Sequence, residues 1–313
     1  MDGALTSRHL GLDLGGTYVK WVVVESSPQG TRTVATGKAA TNANGGPGGV
    51  VDQLAELGRT AAAEVGSVTS VGVGVPGLHD PATGRTRFLP NIPGDWAGVP
   101  VVDPIRTAVG VPTVLINDAR AFALAELRLG AGRGARSLIG IALGTGVGGG
   151  VVIDGRVHFG HDGTAGEIGH QTILPDGPLC GCGNYGCLEA LCRASAISAA
   201  CGCASVEEAV ARARDGDERA RAGFALIGRY LGLGISNAVV LITPDVVVIG
   251  GGTAGAGDLL LDPIRRELQK RIHVTNVDQV RVVLTELGPW AGAIGAAIHG
   301  ADSVQNIGLR RGP

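Results

Sequence analysis

Leu10-Gly11-Leu12-Asp13-Leu14-Gly15-Gly16-Thr17 sets the fold of this 313-residue chain, because Ile139-Gly140-Ile141-Ala142-Leu143-Gly144-Thr145-Gly146 matches it at most positions. Each is a short apolar strand entering a Gly/Thr turn. A second strand follows each turn, Tyr18–Glu25 in the first copy and Gly150–Ile153 in the second. No helix follows, so neither copy is the strand–turn–helix of a dinucleotide fingerprint. Both predict β-hairpins whose turns present backbone N–H groups to a phosphate. One copy near the start of each half predicts a duplicated two-lobe α/β fold with a cleft between the lobes.

Outside the repeats, strands and helices alternate, which implies α/β layers around largely buried sheets. Helical spacing runs over Val50–Val65, Val206–Arg214, Glu218–Leu233, Asp258–Ile272 and Ala291–His299. Ser70–Val75, Thr113–Ile116, Asp245–Ile249 and Gln279–Leu284 read as strands. After Thr113–Ile116, Asn117-Asp118 caps a helix running to about Leu129. The expected organisation is a small N-terminal lobe over residues 1–117, completed by the last helix at about 291–313. A larger lobe over 118–290 carries a metal-binding segment at 170–187.

Hydrophobic residues are 44% of the chain and aromatics 3%, so the core must be built from Ala, Val, Leu and Ile. A net charge of −2 provides no basic field for nucleic acid. Met1–Arg8 is polar, and the apolar stretch Leu138–Ile153 is broken by glycines, so neither a signal peptide nor a membrane span is expected. A cytoplasmic protein follows, in which six cysteines packed between Cys180 and Cys203 suit a metal site better than disulfides.

Cys180-Gly-Cys182-Gly-Asn-Tyr-Gly-Cys187 places three thiols within eight residues, ten residues after His170. Three thiolates and one imidazole make a closed tetrahedral zinc site. Cys192 is the rival fourth ligand, giving an all-thiolate set. Glu167, His170 and Glu189 crowd the same segment; an imidazole bound to metal through one nitrogen keeps the other for a sugar hydroxyl. Asp13, at the mouth of the first turn, could orient hydrated Mg²⁺, with Gly15, Gly16, Thr17 and Lys20 facing phosphate. Gly144, Thr145, Gly146 and Gly148 form the second cradle, where Ala142 replaces the Asp. Asp118 could take a proton from a hydroxyl that Asn117 orients; the plain alternative is a helix cap. Asn91, in a Pro/Gly-pinned loop, is either an amide for a hydroxylated ligand or a turn residue. A carboxylate base with two phosphate-binding turns is the minimal set for phosphoryl transfer.

In this order the pieces resemble the ROK family of sugar kinases and sugar-responsive repressors. The carriers are Leu12–Thr17, Gly77, Leu89-Pro-Asn-Ile-Pro93, Ile116-Asn-Asp118, Leu143-Gly-Thr-Gly146, Gly166-Glu-Ile-Gly-His170 and Cys180–Glu189. The resemblance implies an actin-like ATPase (ribonuclease H-like) fold and ATP-dependent phosphorylation of a hexose, glucose most commonly. It implies Asp118 as the base and Gly77, Asn91, Asn117, Glu167, His170 and Glu189 as sugar ligands. Zinc would sit on His170, Cys180, Cys182 and Cys187, and Gly250, Gly251 and Gly252 would face the adenosine. Homodimers or homotetramers are the implied assemblies. Another sugar or polyol (an N-acetylhexosamine, fructose or a cyclitol) is the alternative substrate, because Arg120, Phe122, Asp95 and the Leu191–Arg193 run depart from the glucokinase pattern. A regulator is disfavoured, since a first strand near His9 leaves no room for a DNA-binding helix-turn-helix.

Overall fold

The computed structural model describes residues 6–310; the outermost parts of the expected first lobe, residues 1–5 and 311–313, lie outside the described residues. Two compact units form. The first takes the chain up to Leu129, Phe159–Thr164, and the chain from Pro289; the second takes Gly130–His158 and Ala165–Gly288.

In the first unit, β1 (Ser7–Leu14), β2 (Tyr18–Ser27), β3 (Gly30–Ala40) and β4 (Ser70–Val75) are followed by a small hairpin of β5 (Leu78–Asp80) and β6 (Arg85–Phe88), then by β7 (Thr113–Asn117). The sheet order is β3-β2-β1-β4-β7, with β1 antiparallel to β2 and parallel to β4. In the second unit, β8 (Leu138–Leu143), β9 (Val147–Ile153), β10 (Arg156–Val157), β11 (Val246–Gly250) and β12 (Arg281–Leu284) order as β10-β9-β8-β11-β12. Again β8 is antiparallel to its hairpin partner β9 and parallel to β11. The two sheets therefore share one topology, and the repeated sequence supplies the central strand of each.

Each sheet buries an aliphatic face. Leu10, Leu12, Val71 and Val73 pack with Val50, Leu54 and Ile105 from helices Gly46–Glu64 and Val102–Val109. Ile139, Ile141, Val247 and Ile249 pack with Phe224, Leu231 and Ile264 from helices Glu218–Ile242 and Asp258–Arg271. The other face of the first sheet is closed by backbone contact. A Cβ on Gly11 would land on the Ala293 carbonyl oxygen, and one on Gly72 on that of Ala296, both in helix Ala291–Arg310.

Three features differ from the sequence expectation. Helix Asp118–Leu129 belongs with the first sheet, because Gly295 of the last helix packs directly on the Ala121 carbonyl. The helix expected to stop at Leu233 continues to Ile242, because Gly232 and Gly234 receive Glu267 and Leu188 against the backbone, and packing outweighs glycine's poor propensity. The last helix likewise passes through Gly300, which lies against Gly72 and Ser70. Glu218–Ile242 is also long and apolar enough to cross a membrane by length and composition. Phe224, Ile227, Leu231 and Ile235 are buried in the second core, as in a core helix of a globular unit.

Candidate active site

In the first unit the candidate residues gather at the C-terminal ends of the parallel strands, where open α/β sheets bind ligands. Register pairs Asp13 with Gly74 and Val75 with Asn117, so β1, β4 and β7 deliver their ends side by side. Asn117 is the helix cap: its Oδ1 accepts from the N–H groups of Ala119 (3.0 Å) and Arg120 (3.2 Å). Its Nδ2 donates to the Gly77 carbonyl at 3.1 Å, clasping the turn after β4, and an amide nitrogen carries a second proton. Gly77 has φ +77°, and a side chain there would strike the Phe88 carbonyl, so only glycine fits. Asp118, half-buried, opens the helix, and its Oδ1 accepts from the Ala119 N–H at 2.8 Å.

The Asp13 carboxylate lies against Gly292 at the start of the last helix; a Cβ there would sit 2.7 Å from Oδ2. Burial pushes its carboxyl above the usual range, and the cross-strand neighbour Lys20 opposes that shift. The Gly15–Thr17 turn is closed by Gly15 N–H donating to the Tyr18 carbonyl at 3.0 Å, and its Gly16 and Thr17 are exposed. The exposed Asn91 reaches this turn through its backbone: a Cβ on Gly16 would lie 2.8 Å from the Asn91 carbonyl.

In the second unit the Gly144–Gly146 turn is held from two sides. Ala194 N–H donates to the Gly144 carbonyl at 2.8 Å, and Val147 N–H donates to Glu189 Oε2 at 3.0 Å. From the other side, Thr253 Oγ1 donates to the Leu143 carbonyl at 3.3 Å, and Gly251, at φ +88°, packs on the Leu143 backbone. Gly250–Gly252 and Gly144–Gly148 therefore adjoin. The Gly166–His170 segment lies on β9, with Gly169 on the Val147 carbonyl and Gly149 on the Gly166 carbonyl.

His170, Cys180, Cys182 and Cys187 bring their ligand atoms within 4.8 Å of one another. His170 Nδ1 lies 3.7 Å from Cys180 Sγ, while Nε2 faces Glu167 Oε2 at 3.9 Å. Cys182 and Cys187 Sγ are 3.7 Å apart. Burial pushes the Cys180 thiol up to about 12, whereas a backbone N–H from Asn184 pulls Cys182 down. Cys192 stands apart, fully buried with its Sγ directed at the Ile227 carbonyl. Sequence reasoning missed the partners of the second turn, Ala194, Val147 and Thr253. Two of them act through backbone N–H groups, which no residue type advertises; Thr253, adjoining Gly252, could have been found.

The ROK family pattern matches residues 9–302. The chain belongs to the ROK family. Among ROK relatives, the glucokinase of Thermotoga maritima is 35% identical, over 92% of this chain and 95% of that one. A ROK hexokinase structure from Thermus thermophilus superposes with a TM-score of 0.83 at 36% identity, covering 96% of this chain and 99% of that one. A ROK glucokinase from Streptomyces griseus, solved with glucose and AMPPNP, gives 0.77 at 34% identity, covering 95% and 100%. The ROK assignment and the repeated sheet order identify an actin-like ATPase fold.

Proposed function

We propose that this chain is an ATP-dependent sugar kinase that phosphorylates the primary hydroxyl of glucose. The observation that carries this is the Asn117–Asp118 pair at the end of β7, in a chain 35% identical to a glucokinase. Asp118 accepts the hydroxyl proton as the sugar oxygen attacks the γ-phosphorus of ATP in line. The new O–P bond forms as the bond to the ADP oxygen breaks. Asn117 fixes the Gly77 turn and offers its remaining amide proton to the sugar, with Asn91, Glu167, His170 and Glu189 as further ligands. The Gly15–Thr17 and Gly144–Gly148 turns present N–H groups to phosphate, Lys20 adds a positive charge, and Gly250–Gly252 face the adenosine. Asp13 would hold Mg²⁺ through water, the ion screening phosphate charge.

Zinc suits the four-residue cluster on chemistry and spacing. A tetrahedron with zinc–sulfur bonds of about 2.3 Å has S···S edges of about 3.8 Å; the Cys182–Cys187 separation is 3.7 Å, and all four ligand atoms lie within 4.8 Å of one another. When bound, zinc supplies a closed cross-link with no open position, and it would keep the thiols as thiolates. His170 Nδ1 would be the ligand atom, leaving Nε2 between Glu167 and the sugar. His170→Ala is expected to retain less than half the zinc of the wild type and to raise the glucose KM about tenfold or more. Cys192→Ala is expected to keep its metal. Metal analysis of the purified proteins decides between this set and the all-thiolate one.

Steady-state kinetics with ATP over glucose, mannose, fructose, N-acetylglucosamine and N-acetylmannosamine tests the substrate. Glucose is expected to give the highest kcat/KM; an N-acetylhexosamine at the top would replace it. A cytoplasmic homodimer or homotetramer is proposed alongside, checked by light scattering of the purified protein.

A further inference from the structure

We infer that Glu189 is a positioning residue for the phosphate turn as well as a sugar ligand, so that one carboxylate couples sugar occupancy to nucleotide affinity. The inference rests on the kinase reading above and goes beyond it.

The two oxygens of Glu189 face different neighbours. Oε2 accepts from the Val147 N–H at 3.0 Å, at the exit of the Gly144–Gly146 turn. It reaches that place because residue 146 is glycine: a Cβ there would stand 2.5 Å from Oε2. Oε1 lies 3.8 Å from Cys180 Sγ, on the side of the metal cluster and His170. The same short segment makes a second bond to the turn, Ala194 N–H to the Gly144 carbonyl at 2.8 Å. That bond is backbone to backbone, with no side chain for a ligand to act on. The Glu189 bond ends in a side chain on the first turn of helix Leu188–Cys192, and ligand chemistry can act on it. A sugar hydroxyl donating to Oε1 fixes the side-chain torsions and with them Oε2, so the turn is ordered before nucleotide arrives. The coupling is positive, and linkage makes it reciprocal.

Calorimetric titration of MgADP, with and without saturating glucose, tests this in wild type, Glu189→Gln and Glu189→Ala. In the wild type, glucose is expected to tighten MgADP about fivefold or more. Glu189→Gln keeps an amide oxygen able to accept from Val147 N–H, so its sugar-free MgADP affinity should stay within about twofold of wild type. Its glucose affinity should fall about tenfold, through loss of the charged acceptor. Glu189→Ala should lose about tenfold in MgADP affinity even without sugar, and its coupling should vanish. General loss of stability would not separate Gln from Ala in this way. Should Glu189→Ala fail to fold, Glu189→Asp replaces it, being one methylene too short to reach Val147 N–H. Sugar-free MgADP binding at wild-type strength in the Ala or Asp variant overturns the inference and leaves the kinase reading standing. A wild-type chain that binds neither glucose nor MgADP takes both down together.

Discussion

Asp118→Asn is expected to lower kcat for glucose phosphorylation by a factor of about 10²–10⁴, with the glucose KM within a few-fold of wild type and the melting temperature unchanged. The size follows from the proposed step: an amide cannot accept the hydroxyl proton at neutral pH. Retention of the fold follows from local geometry. Asp118 is the first residue of helix Asp118–Leu129, and its Oδ1 takes the Ala119 N–H at 2.8 Å. An Asn side-chain oxygen takes the same bond with the same reach. The helix keeps its second cap as well, since Asn117 Oδ1 also accepts from Ala119 and Arg120. The substitution therefore removes basicity and keeps these cap bonds. A coupled assay for ADP, run beside thermal melting, reads both quantities. Turnover within a few-fold of wild type in a folded variant would remove Asp118 as the base.

Gly72→Val is expected to cost the first unit about 4 kcal/mol, above the usual overpacking cost of about 1–3 kcal/mol because the obstruction is backbone. Gly72 stands in the middle of β4 with Ala296 of the last helix directly against it, and the obstructing atoms are backbone. No rotamer change can clear them. The strand and the helix must part, which also lifts Gly11 from Ala293 beside it. Against a typical total of about 5–15 kcal/mol for a domain, such a loss removes between about a quarter and four fifths of the stability. Gly48→Ala is the control. It lies in helix Gly46–Glu64 with open space around its Cβ position, so it should raise stability by up to about 1 kcal/mol. Chemical denaturation of both variants reads the contrast. A Gly72→Val protein as stable as wild type would contradict the backbone-to-backbone seam.

The hairpins and their duplication were legible because a Gly/Thr turn between apolar runs leaves few alternatives, and the two copies deliver equivalent central strands. The three-thiol part of the cluster was legible from spacing, since glycines between the thiols let the chain curl around one point, while the choice of His170 over Cys192 needed the fold. Two helix ends were not legible: the helices expected to stop at Leu233 and His299, just before Gly234 and Gly300, run on because a neighbour presses on each glycine and tertiary packing overrode propensity. Arg120, set apart in sequence only as a departure from the glucokinase pattern, is the largest fully buried side chain among the described residues, a burial that an Arg does not announce. The end of the first unit at Leu129, rather than at the expected residue 117, depends on glycines in the last helix meeting a helix that is more than a hundred residues earlier.

The return of helix Ala291–Arg310 to β1 and β4 sets the order in which the protein can be made. The second unit lies between Gly130 and Gly288 apart from a six-residue excursion, so a ribosome releases nearly all of it as one run. The first unit has its central strands early and the helix that covers their glycine face last. Gly11 and Gly72 wait through the synthesis of the whole second unit before Ala293 and Ala296 arrive. During that interval one face of a nascent sheet stays open to water, to chaperones and to other chains. The half of the molecule that leaves the ribosome first is the half that is finished last.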